Sequence, residues 1–289
     1  MSKSQKMSHG PKTFSRQKLS ALFLRTLVYL AAILTIGTVL FLIGYILLQG
    51  IPYIKGSLFA WEYTTENVSL MPAIWNTFFM ILLSLLFSVP VGIGSAVYLV
   101  EYAKRGSRFV EWIRLTAETL SGIPSIVYGL FGALFFVKAL GWGLSLLSGA
   151  CTLAVMILPL VMRTTEEALK AVPDSYREGS FGLGAGRVRT VFEIILPAAM
   201  PGITSGIILS IGRIVGESAA LIFTAGTMAA IPESLFGSAR TLSVHMYCLY
   251  SEGLYMNQAA ATAVVLLVIV LGINALSGFV MKKMTGGDK

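Results

Sequence analysis

Between Arg25 and Lys55 the chain carries no Asp, Glu, Lys or Arg, and the same holds from Glu66 to Glu101. Apolar runs of this length decide the solvent before they decide the fold. A helix needs about 20 predominantly apolar residues to cross a bilayer. Further charge-free intervals run from Glu118 to Lys138 and from Lys138 to Arg163, another begins after Glu193, and a last apolar stretch covers Ala259–Met281. Six spans are therefore expected: near Leu27–Leu48, near Ile74–Val100, within Glu118–Lys138, within Lys138–Arg163, after Glu193 with Arg213 and Glu217 interrupting it, and Ala259–Met281. The chain reads as an all-α membrane protein of six transmembrane helices. Its composition agrees, with 55% hydrophobic and only 12% charged residues and a mean hydropathy of +0.78. A soluble domain carries about 25% charged residues.

The net charge of +8 would suggest nucleic acid in a soluble protein. Here it is explained by orientation, because cytoplasmic loops collect Lys and Arg. Eighteen basic residues fall on one side: in the tail through Arg25, in the second connection (Lys104, Arg105, Arg108, Arg114), in the fourth (Arg163, Lys170, Arg177, Arg187, Arg189) and at the C-terminal end. Four fall on the other: Lys55, Lys138, Arg213 and Arg240. Both termini are expected in the cytoplasm. Residues 1–24 read as a basic cytoplasmic tail, 25–50 as the first transmembrane helix, and 70–282 as the main transmembrane domain with a cytoplasmic loop at 163–193. The first run is too long for a signal peptide and lacks a small-residue cleavage site. Cys151 sits in an apolar run and Cys248 outside it, so no structural disulfide is expected, and no metal-ligand spacing or cofactor motif is present. Asn67-Val68-Ser69 matches a glycosylation sequon by pattern alone.

Small residues recur every fourth position in three spans: Ser84, Ser88, Gly92 and Ala96; Ser121, Ser125, Gly129 and Ala133; Ala198, Gly202, Gly206 and Ser210. This spacing places each set on one face and lets helix backbones approach closely. Pro90 and Pro124 are expected to kink the second and third spans, Pro124 as a break lining a path. Trp61, Trp75 and Trp112 are expected as interface anchors. His245 reads as an exposed residue of the outer loop between spans five and six.

The loop at 163–193 is the most informative segment. Pro173-Asp174 breaks a helical extension, Ser175 and Glu178 have capping-box spacing, and Gly182, Gly184 and Gly186 are placed to end a short helix with positive φ. Tyr176, Ser180 and Leu183 would share one face. From residues alone, an amphipathic loop on the headgroups and a helix that docks into another protein remain equal readings.

Glu178-Gly179-Ser180, then Gly184, Ile194 and Leu196-Pro197, reproduce the spacing of the cytoplasmic signature of ABC importer permeases, E-A-A, three residues, G, nine residues, I, one residue, L-P. Gly179-Ser180 replaces the two alanines. The chain thus resembles binding-protein-dependent type I ABC importer permeases. Ser121 to Gly132 and Gly212 to Gly226 are similar to the third- and fifth-span motifs of phosphate permeases. Val244 to Gln258 is closer to the A-type than to the C-type subunit of phosphate-specific transport systems. The resemblance covers roughly Leu27 to Met281. It implies a type I permease bundle in a bacterial cell membrane, working as a heterodimer with a second permease subunit. Two ATPase subunits and an extracytoplasmic phosphate-binding protein complete the implied assembly. In that family the short helix carrying Glu178, Gly179, Ser180 and Gly184 couples to the ATPase.

No G-x-x-x-x-G-K-[ST] loop occurs, so ATP chemistry is expected elsewhere. Neither an H-E-x-x-H pattern nor paired intramembrane aspartates suggest an enzyme. An ionisable residue inside a span is costly, which makes Arg213 and Glu217 candidates for the substrate path. Their i, i+4 spacing would put them on one face, with Arg213 offering a guanidinium fork to phosphate oxygens and Glu217 holding it otherwise. The alternatives are a structural ion pair, or a helix that ends early near the outer headgroups. Permeation of another oxyanion, or a scaffold role in phosphate signalling, are the competing functions.

Overall fold

The computed structural model describes residues 12–104 and 106–284. Among these the regular elements are all helical. By their contacts they form two units, one ending at Gln49 and one beginning at Gly50.

Helix α1, Lys12–Gly50, makes up the described part of the first unit as far as Gln49 and is apolar on every side over its spanning part. A helix without a polar face is what lipid on all sides permits. The basic tail expected over 1–24 is helical from Lys12 to Leu24, continuous with the span. That segment has no Gly or Pro, and Leu, Lys, Arg, Gln and Ala are good helix formers, so the turn propagates back from the membrane. Residues 1–11 of the tail, Arg105 and the terminal Lys289 lie outside the described residues.

The second unit opens with short 3-10 turns at Ile51–Tyr53 and Gly56–Phe59. Helix α2, Met71–Val97, then runs on through Pro90 into a π-helical turn, Tyr98–Tyr102. Trp61 stacks on Trp75 with ring centres 6.2 Å apart, on the outer side where amphipathic rings belong.

The third span is broken. Helix α3, Arg108–Ser121, and helix α4, Ser125–Gly132 with its π-helical extension Ala133–Ala139, meet at 101°. Arg108, Glu111, Arg114 and Glu118 make α3 the polar arm of this bent pair, and Ser125–Ala139 is its apolar arm. Gly122-Ile123 closes α3, and Pro124 precedes α4 in an extended conformation, φ −59° and ψ 141°. A proline there loses no helical hydrogen bond. Pro124 is therefore the joint between two helices and not a kink within one. The small-residue row Ser121, Ser125, Gly129 and Ala133 is split by the same joint.

Helix α5, Leu146–Ala171, spans the membrane and continues into the cytoplasmic connection. Helix α6, Asp174–Gly182, and helix α7, Arg187–Thr190, follow; a π-helical turn, Val191–Ile195, leads into helix α8, Leu196–Gly216. Helix α9, Ala219–Thr224, and helix α10, Leu242–Glu252, lie on the outer side. Helix α11, Met256–Met284, returns. Counting the bent pair as one, six helical segments are long and apolar enough to cross. Six crossings return both chain ends to the Lys- and Arg-rich side.

Lipid supplies no hydrophobic drive between helices, so close contact must come from small residues and hydrogen bonds. Ser84, Ser88, Gly92 and Ala96 are all buried, facing α5. Ser84 Oγ donates to Ala150 O at 3.2 Å, and a Cβ on Gly92 would stand 2.7 Å from Val161 Cγ1. Gly129 brings α4 onto α9, where a Cβ would stand 2.8 Å from Ala220 Cα. Of the row on α8, Gly206 and Ser210 are buried while Ala198 and Gly202 are exposed. Cys151 and Cys248 are free thiols.

His245 is also placed differently from expectation. It lies in the first turns of α10 and is fully buried, edge-on to Tyr63 at 6.0 Å. The outer connection folds down onto α2: Asn76 Nδ2 donates to Ala230 O at 2.9 Å and to Arg240 O at 3.2 Å, and Leu242 N–H donates to Thr77 Oγ1 at 2.8 Å. These bonds turn what reads as a loop into a packed cap.

Candidate functional site

Helix α6 is the first candidate. It begins at Asp174 behind Pro173 and has no side-chain cap, so Ser175 and Glu178 do not form the expected box. The fixed φ of Pro173 starts the helix instead. Of the three glycines, Gly184 alone takes positive φ, +83°. There Gly184 N–H reaches Phe181 O at 2.9 Å and Ala185 N–H reaches Ser180 O at 3.1 Å, a closure that needs the left-handed conformation. Glu178 and Gly179 are exposed. Ser180 is buried, its Oγ 2.8 Å from Thr190 Oγ1, so it faces α7 and does not share a surface with Tyr176 and Leu183. Tyr176 and Phe181 are exposed, and Leu183 is 91% exposed.

What fixes α6 is Arg177, which pattern reading counted only as a topological charge. Its Nη2 donates to Glu101 Oε1 at 2.7 Å and to Leu169 O at 3.0 Å, and its Nη1 donates to Val172 O at 2.9 Å. One guanidinium thereby ties α6 to the end of α2 and to the last turn of α5. Both side chains are largely buried.

The second candidate is the pair Arg213 and Glu217. Helix α8 ends at Gly216, and Glu217 is extended, φ −77° and ψ 127°. The helical face that would align the two does not exist. Glu217 is buried, and its Oε1 accepts from Ala220 N at 3.1 Å, at the start of α9. Ser243 Oγ donates to Glu217 O. Among the described residues Arg213 makes no ion pair with Glu217. Arg213 is exposed.

Arg213 instead looks into a cleft of about 520 Å³ between α3, α5 and α8. Along α5 the cleft runs from Met156 past Pro159 to Lys170, roughly 20 Å at 1.5 Å per residue. Arg114, Arg163 and Lys170 line it with Arg213, as do Glu118, Glu166 and Glu167. Arg114 Nη2 lies 2.7 Å and Lys170 Nζ 2.6 Å from Glu166 Oε1. The wall therefore holds four cations and three carboxylates: Arg114 and Lys170 share buried Glu166, Arg163 pairs with Glu167 at 3.1 Å, and Arg213 alone of the four makes no ion pair among the described residues. Such a surface attracts an anion without holding it in a deep well. Sequence reasoning missed these residues because each stands among cytoplasmic basic residues with nothing to distinguish it. Their convergence depends on the bend between α3 and α4. Pro124 lies at that bend, outside the cleft lining.

Comparison with known proteins adds the following. Residues 88–285 match the family described as "Binding-protein-dependent transport system inner membrane component". The chain is 33% identical over 271 residues to the probable ABC transporter permease protein YqgI of Bacillus subtilis, covering 84% of this chain and 90% of that one. It is 33% identical over 287 residues to the phosphate transport system permease protein PstA of Pasteurella multocida, covering 93% and 98%. Among solved structures it is similar to a chain of the inward-facing MetNI methionine ABC transporter, with a TM-score of 0.61 and 20% identity over 74% of this chain and 95% of that one.

Proposed function

Because the chain belongs to the family of binding-protein-dependent transport system inner membrane components, we propose that it is the A-type permease subunit of an ATP-driven importer of inorganic phosphate. The observation that carries the substrate is the likeness to the phosphate permease PstA of Pasteurella multocida along almost the whole of both chains. The cationic cleft below Arg213 agrees with an anionic cargo. The proposed partners are a PstC-like second permease, two PstB-like ATPase subunits, and a PstS-like phosphate-binding protein outside the cell. The proposed domain reading is a membrane domain at 70–282 preceded by a separate first span, with the coupling loop at 163–193.

Phosphate delivered from outside meets Arg213, whose fork suits two phosphate oxygens. Glu217 is occupied with the start of α9, so Arg213 is available to the anion. The cleft then leads along α5 toward Lys170 and the cytoplasm. Exposed Glu178, Gly179, Tyr176 and Leu183 face the ATPase, while buried Ser180 keeps α6 in place and the positive φ of Gly184 shapes its closing turn. Closure of the ATPase moves α6, and Arg177 passes that movement to α2 and α5 together.

The test is ATP-dependent uptake of labelled phosphate into vesicles holding this chain with its partner permease, ATPase and binding protein. Uptake in the unmodified complex and its loss in Arg213→Ala, with the ATPase still bound, is the expected result. Normal uptake in Arg213→Ala would remove Arg213 from the path. An assembled complex that hydrolyses ATP but takes up molybdate or sulfate instead would move the assignment to another oxyanion. ATPase binding with no uptake of any of these would favour a scaffold.

A further inference from the structure

Under the outer connections of the second unit lies a polar cluster that the cleft does not use. Arg240 is only 5% exposed, with its Cζ 5.0 Å from the centre of the Tyr63 ring. His245 meets the same ring from its edge, and Asn76, also fully buried, holds the Arg240 carbonyl. Among the described residues no carboxylate pairs with Arg240. Arg240 Nε and Nη2, both ring nitrogens of His245 and Asn76 Oδ1 have no hydrogen-bond partner.

A guanidinium keeps its charge at any accessible pH. Buried charges are paired or they are severely destabilising. Tyr63 covers one face of Arg240, but the N–H groups lie in the guanidinium plane and are not satisfied by a ring stacked over it. Burial and the Arg240 charge push His245 down to about 3, so it is neutral and offers one N–H and one lone pair. Arg240 also immediately precedes Thr241, the cap of α10, whose first turn adds partial positive charge. Glu217, which accepts from Ser243 of α10 through its carbonyl, has Oε1 engaged at α9.

We propose that Arg240 and His245, with the start of α10, enclose a small inorganic anion of single negative charge beneath the outer surface. One buried cation matches one anionic charge. Two sources share that chemistry, monobasic phosphate in transit and chloride from the medium. With phosphate as occupant the site rests on the transport reading above and becomes an outer station on the path; with chloride it is independent of that reading.

The test measures the melting temperature of the purified permease–ATPase complex in gluconate buffer, titrated separately with phosphate and with chloride. Native-state binding raises the melting temperature in a saturable way. The expected result is such a rise with one of the two anions, lost in Arg240→Gln and kept in Lys55→Gln, a change at an exposed outer cation. His245→Leu is expected to raise the half-saturating concentration about fivefold, the worth of one hydrogen bond. The responding anion identifies the occupant. If both anions act equally on the unmodified complex and on Arg240→Gln, or not at all, water fills the cluster and the proposal is overturned. Should Arg240→Gln fail to assemble, an unchanged half-saturating concentration in His245→Leu overturns it. A chloride response at Arg240 alongside failed phosphate uptake would sink the transport reading and leave this site standing.

Discussion

His245 shows how much a single side chain's environment matters. Burial, and then the neighbouring Arg240 charge, push it down to about 3, against about 6.5 for an unhindered imidazole. Between those values the unfolded chain binds a proton that the native one refuses. The stability contribution is therefore complete above about pH 6.5 and is lost as the pH falls, by about 1.4 kcal/mol per unit down to about 3. Melting temperatures of the complex between pH 7 and pH 5, in buffer free of phosphate and chloride, should fall more steeply for the unmodified protein than for His245→Gln. Equal slopes would mean that His245 is solvated. Nothing at residue level in the sequence marked this burial, because Tyr63, against which His245 packs, is distant in sequence and meets it only by folding.

At the scale of elements, the cytoplasmic helix α6 was legible as a helix and its anchor was not. The spacing from Glu178 to Pro197 is fixed along the chain, so it could be read directly. Arg177 and Glu101 lie far apart in sequence, and each is an ordinary loop charge until α2 and α6 meet. Breaking a buried pair leaves one charge uncompensated, on the order of 3 kcal/mol. Arg177→Met should therefore lower the melting temperature of the complex. It should also uncouple ATP hydrolysis from uptake, because α6 would no longer move with α2 and α5. Hydrolysis and uptake falling in strict proportion would argue that Arg177 acts on stability alone. The third span taught the opposite lesson. Its Pro124 was visible, but whether a proline bends a helix or starts one depends on where the preceding helix stops, and the polar residues of α3 decide that.

At the scale of the whole molecule, the proposed coupling has the chain hand a movement across a protein boundary. Tyr176, Phe181 and Leu183 are apolar, exposed and cytoplasmic, a set that a helix-in-cleft contact would cover. Leu183→Asp should abolish co-purification of the ATPase while leaving the melting temperature of the permease within about 0.5 kcal/mol equivalent, as for other surface changes. Retained ATPase with normal uptake would place the docking face elsewhere.

The sequence by itself determined the solvent, the number of crossings and the side on which the loops lie. These follow from runs of apolar residues and from counts of charge, which are properties of short segments and need no neighbours. It also located the cytoplasmic helix α6, through spacing that a contiguous segment preserves. Only the tertiary structure decided that α8 stops before Glu217, that Arg213 opens onto a cleft instead of a carboxylate, and that Arg240 and His245 are enclosed. Each of those outcomes depends on which distant side chain or backbone group arrives at a given atom, and a local pattern carries no information about that arrival.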